Sequence, residues 1–209
     1  MFNAEVLTFN EFAMQEPVPL ATIQTAVLEF LPDRDDTVIF GAQAVNAYVG
    51  EPRMTQYIDL LSTRARKLAQ ELKEHLSQEF HIALRVREIG DGKGYRLFQL
   101  QKSGNRHLVD LRPVQTLPAA RCIDRIWVMA PAELLASKAI AFHQRRGKPK
   151  SGTDWRDIAM LLLKFPDLKC SPGPVEDYLR AAGADSTVLA VWPEFVSQPI
   201  QARDDDDEF

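Results

Sequence analysis

Thr37-Val38-Ile39-Phe40 is a short, β-branched apolar run that breaks at Gly41 directly into a small-residue stretch, residues 42–49, which Gly50 and Pro52 stop. A buried strand that enters a helix without a connecting loop constrains a fold strongly. The helix must pack beside its own strand, and the chain has to return along the same sheet. Residues 56–61 supply that return as a second strand.

The neighbouring segments fill in the rest of a sheet. Residues 20–31 carry helical spacing with Ile23, Val27, Phe30 and Leu31 on one face, and Pro32-Asp33-Arg34-Asp35-Asp36 ends the pattern. Residues 64–78 form a charged amphipathic helix through Leu68, Leu72 and Leu76. Three strands are then expected at 82–89, 95–102 and 106–111. Gly90-Asp91-Gly92-Lys93-Gly94 and Ser103-Gly104-Asn105 have hairpin chemistry between them. A short strand at 125–129 closes the series. Helices and strands followed by antiparallel hairpins predict an α+β domain over residues 1–128, with a mixed sheet and flanking helices.

The pattern changes at Pro131. Residues 131–146 read as a helix with Pro131 and Glu133 in its first turn, Lys148-Pro149-Lys150-Ser151-Gly152 as a loop, and Thr153 as the cap of a helix over 154–165. Two more helices are expected at 174–182 and 186–197, so residues 129–200 form a C-terminal helical domain. The last stretch, 201–209, is an acidic tail expected to be disordered, and it contains Asp204-Asp205-Asp206-Asp207-Glu208. Of 209 residues, 45% are hydrophobic and 26% charged, and the formal charge of −4 becomes close to neutral once that tail is set aside. This argues against a generic nucleic-acid coat but leaves room for a local basic groove. Arg121, Arg125, Arg145, Arg146, Lys148 and Lys150 could rim one. Cys122 and Cys170 are well separated, which argues against a zinc site or disulfide framework and for a reducing compartment. With no signal-peptide pattern at the N-terminus and no membrane-length apolar run, the expected location is cytoplasmic.

Two acids stand in apolar strand surroundings: Asp59 in Tyr57-Ile58-Asp59-Leu60 and Asp110 in Leu108-Val109-Asp110-Leu111. A buried carboxylate is costly without a metal or a cation beside it. Mg²⁺ is a hard ion that prefers oxygen, so a pair of strand carboxylates suits it. Gly41 at the strand-to-helix turn lets backbone N–H groups approach a phosphate, where the helix dipole favours an anion. Gln43 could reach into such a site as a donor.

Taken in order, Gly41-Ala42-Gln43-Ala44-Val45-Asn46-Ala47-Tyr48 and Arg53-Met54-Thr55-Gln56-Tyr57-Ile58-Asp59-Leu60 resemble the nucleotidyltransferase superfamily, and within it the abortive-infection AbiEii-type toxins. Glu133-Leu134-Leu135-Ala136-Ser137-Lys138, Arg145-Arg146 and Asp154-Trp155-Arg156-Asp157-Ile158 resemble the family's lysine helix and its Asp-x-x-Asp helix. The resemblance covers about residues 37–165. It implies transfer of an NMP group from an NTP, with Mg²⁺, to an acceptor such as tRNA, and a cognate antitoxin as partner. Asp59 and Asp110 would hold the metal, and Asp59, Asp110, Lys138 and Asp157 would be the catalytic set. Lys138 would contact the triphosphate, and Asp154 or Asp157 would hold Lys138 or Arg145, or assist the acceptor. Gly41, Ala42, Gln43, Arg53, Thr55, Arg145 and Asp154 would line the nucleotide. Two positions depart from the family pattern. Ala42 stands where a second Gly or Ser is usual, and Tyr57 stands where the first metal-binding Asp is usual. A neutral phenol is a poor Mg²⁺ ligand. The alternative reading is a catalytically inactive pseudoenzyme that binds nucleotide or a partner.

Overall fold

The structure is a computed structural model that describes residues 18–102 and 104–201. Ser103 and nearly all of the acidic tail lie outside the described residues. The chain divides into two compact units between Met129 and Ala130.

The first unit runs α1 (Leu20–Glu29), β1 (Thr37–Phe40), α2 (Gly41–Tyr48), β2 (Ile58–Ser62), α3 (Ala65–Phe80), β3 (Leu84–Ile89), β4 (Gly94–Gln99), β5 (Arg106–Pro113), β6 (Ala120–Ile123) and β7 (Ile126–Met129). Its strands form one mixed sheet in the order β3-β4-β5-β2-β1-β7-β6. β2 runs antiparallel to β1 but parallel to β5, and β1 runs parallel to β7. This is the α+β architecture that the strand and hairpin signals predict.

One face of the sheet is the core. Ile58, Leu60, Leu97, Val109 and Leu111 are fully buried, as are Ile23 and Val27 of α1 and Leu68, Leu72 and Leu76 of α3. Each buried Leu or Ile is worth about 1.5–3 kcal/mol. The leucine stripe therefore orients α3 far more strongly than its helix propensity does. Arg34 ties the approach to β1 to that helix, donating to Asp36 (2.9 Å) and Glu71 (2.8 Å), while Arg64 reaches Glu71 at 3.0 Å.

Three expectations need correction. The second strand is Ile58–Ser62 rather than 56–61, so Tyr57 sits in a bend one residue before it. β6 was not expected. It pairs with β7 through a turn in which Asp124 and Arg125 both have positive φ (49° and 66°), the geometry of a tight hairpin without glycine. The expected loop at 148–152 is the first turn of a helix, because Pro149 suits an initial helical position.

The second unit contains α4 (Pro131–Gln144), α5 (Pro149–Lys164), a 3₁₀ turn (Pro166–Leu168), α6 (Pro174–Ala181) and α7 (Ser186–Ser197). Leu134, Leu135, Ala139, Ile158, Leu161, Val175, Leu179 and Trp192 are fully buried at its centre. Asp185 caps α7, accepting from the backbone N–H groups of Thr187 (2.9 Å) and Val188 (3.0 Å). Among the described residues no helix is long and apolar enough to cross a membrane.

Candidate active site

The two strand acids are lateral neighbours. Asp59 on β2 pairs in register with Asp110 on β5, and parallel partners in register project from the same face. Neighbouring strands lie about 4.8 Å apart, so the two carboxylates project side by side. On the far side of β5, Arg96 of β4 pairs in register with Asp110, and its Nε donates to Asp110 Oδ1 at 3.2 Å. Asp110 is 7% exposed. A buried carboxylate is thus matched by a guanidinium that reaches in from solvent.

Gly41 adjoins Asp59 on the other side. Phe40 pairs with Asp59, and the next residue turns with φ +72° into α2. A methyl group on Gly41 would lie 2.9 Å from Asp59 Cγ and closer still to Oδ2. Glycine is required there twice, by its backbone angle and by the carboxylate that fills its side-chain space. Tyr48 anchors the other end of α2, donating from its hydroxyl to the Met129 carbonyl (2.9 Å). Burial pushes the Tyr48 phenol up to about 12, which keeps it a donor.

Gln43 and Asn46 fasten α2 to the chain that leads into β2. Both are buried. Asn46 Nδ2 donates to the Arg53 carbonyl (2.8 Å), the Arg53 N–H donates to Asn46 Oδ1 (3.0 Å), and Thr55 Oγ1 donates to Gln43 Oε1 (3.5 Å). Gln43, Arg53 and Thr55 are therefore brought together, and these hydrogen bonds hold the segment between α2 and β2 in place. Ala42 lies beside Gly41 in the first turn and is half-buried.

Tyr57 packs against a residue that the sequence reading left aside. Its ring stacks on His107 with centroids 4.3 Å apart and planes 23° off parallel, and Phe98 lies 5.1 Å from the same imidazole. Simple alternation along β5 would point His107 away from Asp110. The register between β4 and β5 shifts, however. Leu97 faces Val109 while Phe98 faces His107, which leaves Leu108 as the extra residue of a β-bulge. The bulge re-aims His107 onto the face that carries Asp110. Burial lowers the pKa of the imidazole, with Asp110 acting in the opposite sense.

In the second unit, Lys138 of α4 donates to Asp157 Oδ2 of α5 at 2.6 Å and lies 4.0 Å from Asp154. Arg145 takes Asp154 with contacts of 3.0 and 2.8 Å. Asp157 is 0% exposed and Lys138 6%. The two acids and Lys138 are buried between two helices, and the half-exposed Arg145 closes the network from its edge. Of the six expected rim cations, Arg125 pairs with Asp33, Arg145 with Asp154 and Arg146 with Glu194.

The Megavirus polyadenylate synthase has a similar fold, with a TM-score of 0.57 at 15% identity, over 70% of this chain and 32% of that one. This chain thus spans about a third of that protein's length. The Helicobacter pylori protein JHP933 aligns at a TM-score of 0.49 and 14% identity over 91% and 93% of the two chains. The antibiotic-resistance factor ANT(2'')-Ia aligns at 0.49 and 15% over 82% and 94%. No curated protein matches the chain. The family profile described as nucleotidyl transferase AbiEii toxin, type IV toxin–antitoxin system, matches residues 25–185. That span is well over half of the sequence, and the chain belongs to the AbiEii nucleotidyl transferase family.

Proposed function

We propose that this chain transfers a nucleoside monophosphate from an NTP to an acceptor at the face that carries Asp59 and Asp110. The observation that carries the reading is the register of those two acids beside the Gly41 turn. In the reaction an acceptor oxygen bonds to the α-phosphorus and the bond to pyrophosphate breaks. Backbone N–H groups at the start of α2 receive phosphate oxygens, and Gly41 keeps room for Asp59 next to them.

The donor set fits one Mg²⁺ ion, which Asp59 and Asp110 would hold. Among the described residues no cluster of three His, Cys, Asp or Glu side chains could hold a metal alone. Bound there, Mg²⁺ would offset phosphate charge as pyrophosphate departs. Tyr57 supplies no third carboxylate, and Arg96 already balances part of the charge on Asp110. The expected activity is therefore slow, with an RNA such as tRNA as acceptor and a cognate antitoxin as cytoplasmic partner.

The resemblance gives Lys138 contact with the triphosphate, while its ammonium is engaged by Asp157 within its own unit. Substitutions described below separate these two tasks. A second reading, nucleotide binding without transfer, is favoured by Tyr57 at the acid position and by the Arg96–Asp110 pair.

The test is incubation of the chain with Mg²⁺, each α-labelled NTP in turn and total tRNA, followed by RNA labelling and pyrophosphate release. Label on RNA that disappears in Asp59→Ala supports transfer. Label that persists unchanged in Asp59→Ala places the chemistry elsewhere. Tight NTP binding with no label in any fraction supports the second reading.

A further inference from the structure

We infer that the sheet face beyond the two acids is the seat of the acceptor, and that the acceptor is the 3′ end of a single-stranded RNA whose terminal base stacks on Tyr57 and His107. The inference deepens the transfer reading and rests on it.

The register fixes what this face displays. Arg87 pairs with Arg96 and Arg85 pairs with Phe98 across β3 and β4, so all four share one side of the sheet. Arg96 pairs with Asp110 and Phe98 with His107 across β4 and β5. Asp110 in turn pairs with Asp59, and the Tyr57 ring lies on His107. From β2 toward β3 the same face therefore shows two parallel rows, Asp59, Asp110, Arg96 and Arg87 in one and Tyr57, His107, Phe98 and Arg85 beside it. The three arginines are exposed and the three rings half-buried. Arg87 stands directly opposite Arg96 and the two repel; Asp110 meets Arg96, and a phosphate beside Arg87 would ease the remainder.

Aromatic side chains beside a cationic track are the chemistry that holds a single strand. Bases stack on the rings while phosphates follow the charges. The side of the acids on which this track lies also matters. An in-line displacement puts the attacking oxygen opposite the leaving pyrophosphate. If the α2 N-terminus beside Gly41 receives the departing phosphates, the acceptor approaches from the direction of β5, β4 and β3, where the rings and arginines stand. The Leu108 bulge earns its place here, because without it His107 would point into the other face and Tyr57 would have no ring to stack on.

The test uses the full chain and a short single-stranded RNA with 2-aminopurine at its 3′ end. In parallel, Mg·NTP affinity is measured by calorimetry. Stacking on the rings is expected to quench the fluorophore. Tyr57→Leu and His107→Leu should each weaken RNA binding about tenfold, while Tyr57→Phe and His107→Phe, which keep a ring, should bind like the parent. Arg85→Gln and Arg87→Gln should each reduce the slope of log affinity against log salt by about 0.7. The Mg·NTP affinity should stay the same in all of these variants. Equal RNA binding by ring-keeping and ring-losing variants overturns the seat. Ring loss that weakens Mg·NTP as much as RNA overturns the acceptor assignment, because the stacked base would then be that of the NTP. A parent chain that binds the RNA with the expected ring dependence but binds no Mg·NTP overturns the transfer reading and leaves the RNA seat standing.

Discussion

Asp59 occupies the space in which any residue other than glycine at position 41 would place its side chain: a Cβ there would lie 2.9 Å from the Asp59 Cγ. Strand β1, the turn and the acid on β2 thus form one steric unit. We expect Gly41→Ala to destabilise the fold by about 1–3 kcal/mol, through the positive φ and the clash together. It should also move Asp59 enough to lower transfer at least tenfold. The double variant Gly41→Ala/Asp59→Ala should recover part of the lost stability and none of the activity, as thermal melts and label transfer would show. Additive melting penalties would mean that the two residues do not clash.

Tyr57→Asp exchanges a stacked ring for a second carboxylate on the strand approach. The account expects tighter divalent-ion binding and a higher kcat, with a raised acceptor KM because the ring is lost. Mn²⁺ titration followed by magnetic resonance reads the first effect, and steady-state kinetics at varied RNA reads the other two. A fall in both metal affinity and kcat would show that Tyr57 does not stand at a ligand position.

Much of this arrangement was legible in the sequence, and the part that was not has a definite cause. Asp59 and Asp110 stood out because each interrupts an apolar strand, and apolar strands lie inside sheets. His107 and Arg96 did not stand out. The bulge at Leu108 lies within an unbroken apolar pair, Leu108-Val109, and nothing in residue type distinguishes a bulged leucine from a paired one. Alternation alone would put His107 on the face opposite Asp110, so nothing in the sequence drew it to the site. Residues 148–152 were misread because Pro and Gly together suggest a loop, whereas a proline in the first turn costs a helix nothing. β6 escaped because its hairpin turn uses Asp124 and Arg125 at positive φ, where glycine or asparagine is the usual signal.

Lys138 and Asp157 form a buried pair whose members depend on each other. Lys138→Met takes the ammonium away from a fully buried carboxylate and is expected to cost about 3–5 kcal/mol. The double variant Lys138→Met/Asp157→Leu should regain most of that loss, since apolar replacement of a whole buried pair is often neutral. Denaturant unfolding measures both. If the double variant is stable yet transfers nothing, the Lys138–Asp157 pair has a task in transfer beyond bracing two helices.

Two groups set successive steps on the acid side of the pH dependence. The Asp36 carboxyl is held below its ordinary value, chiefly by the hydrogen bonds from Arg34. Its contribution to stability is present above the unfolded-state pKa of 3.8 and is lost as pH falls through the folded value. His107 is shifted down by burial from 6.5, so the fold favours the neutral ring. That contribution is intact above 6.5 and is lost as pH falls from there to the folded value. Melting curves across acidic pH should therefore show one decline that His107→Phe removes and a second, more acidic decline that Asp36→Asn removes. A melting temperature independent of both substitutions at every pH would contradict these assignments.

The most direct test of the central claim is transfer of α-labelled nucleotide to RNA by the unaltered chain, Asp59→Ala and Asp110→Ala side by side, with and without Mg²⁺. The account predicts slow, Mg²⁺-dependent labelling by the unaltered chain and at least a hundredfold loss in each variant. Labelling that survives both substitutions, or that proceeds equally without Mg²⁺, would contradict a site built on the neighbouring carboxylates of β2 and β5.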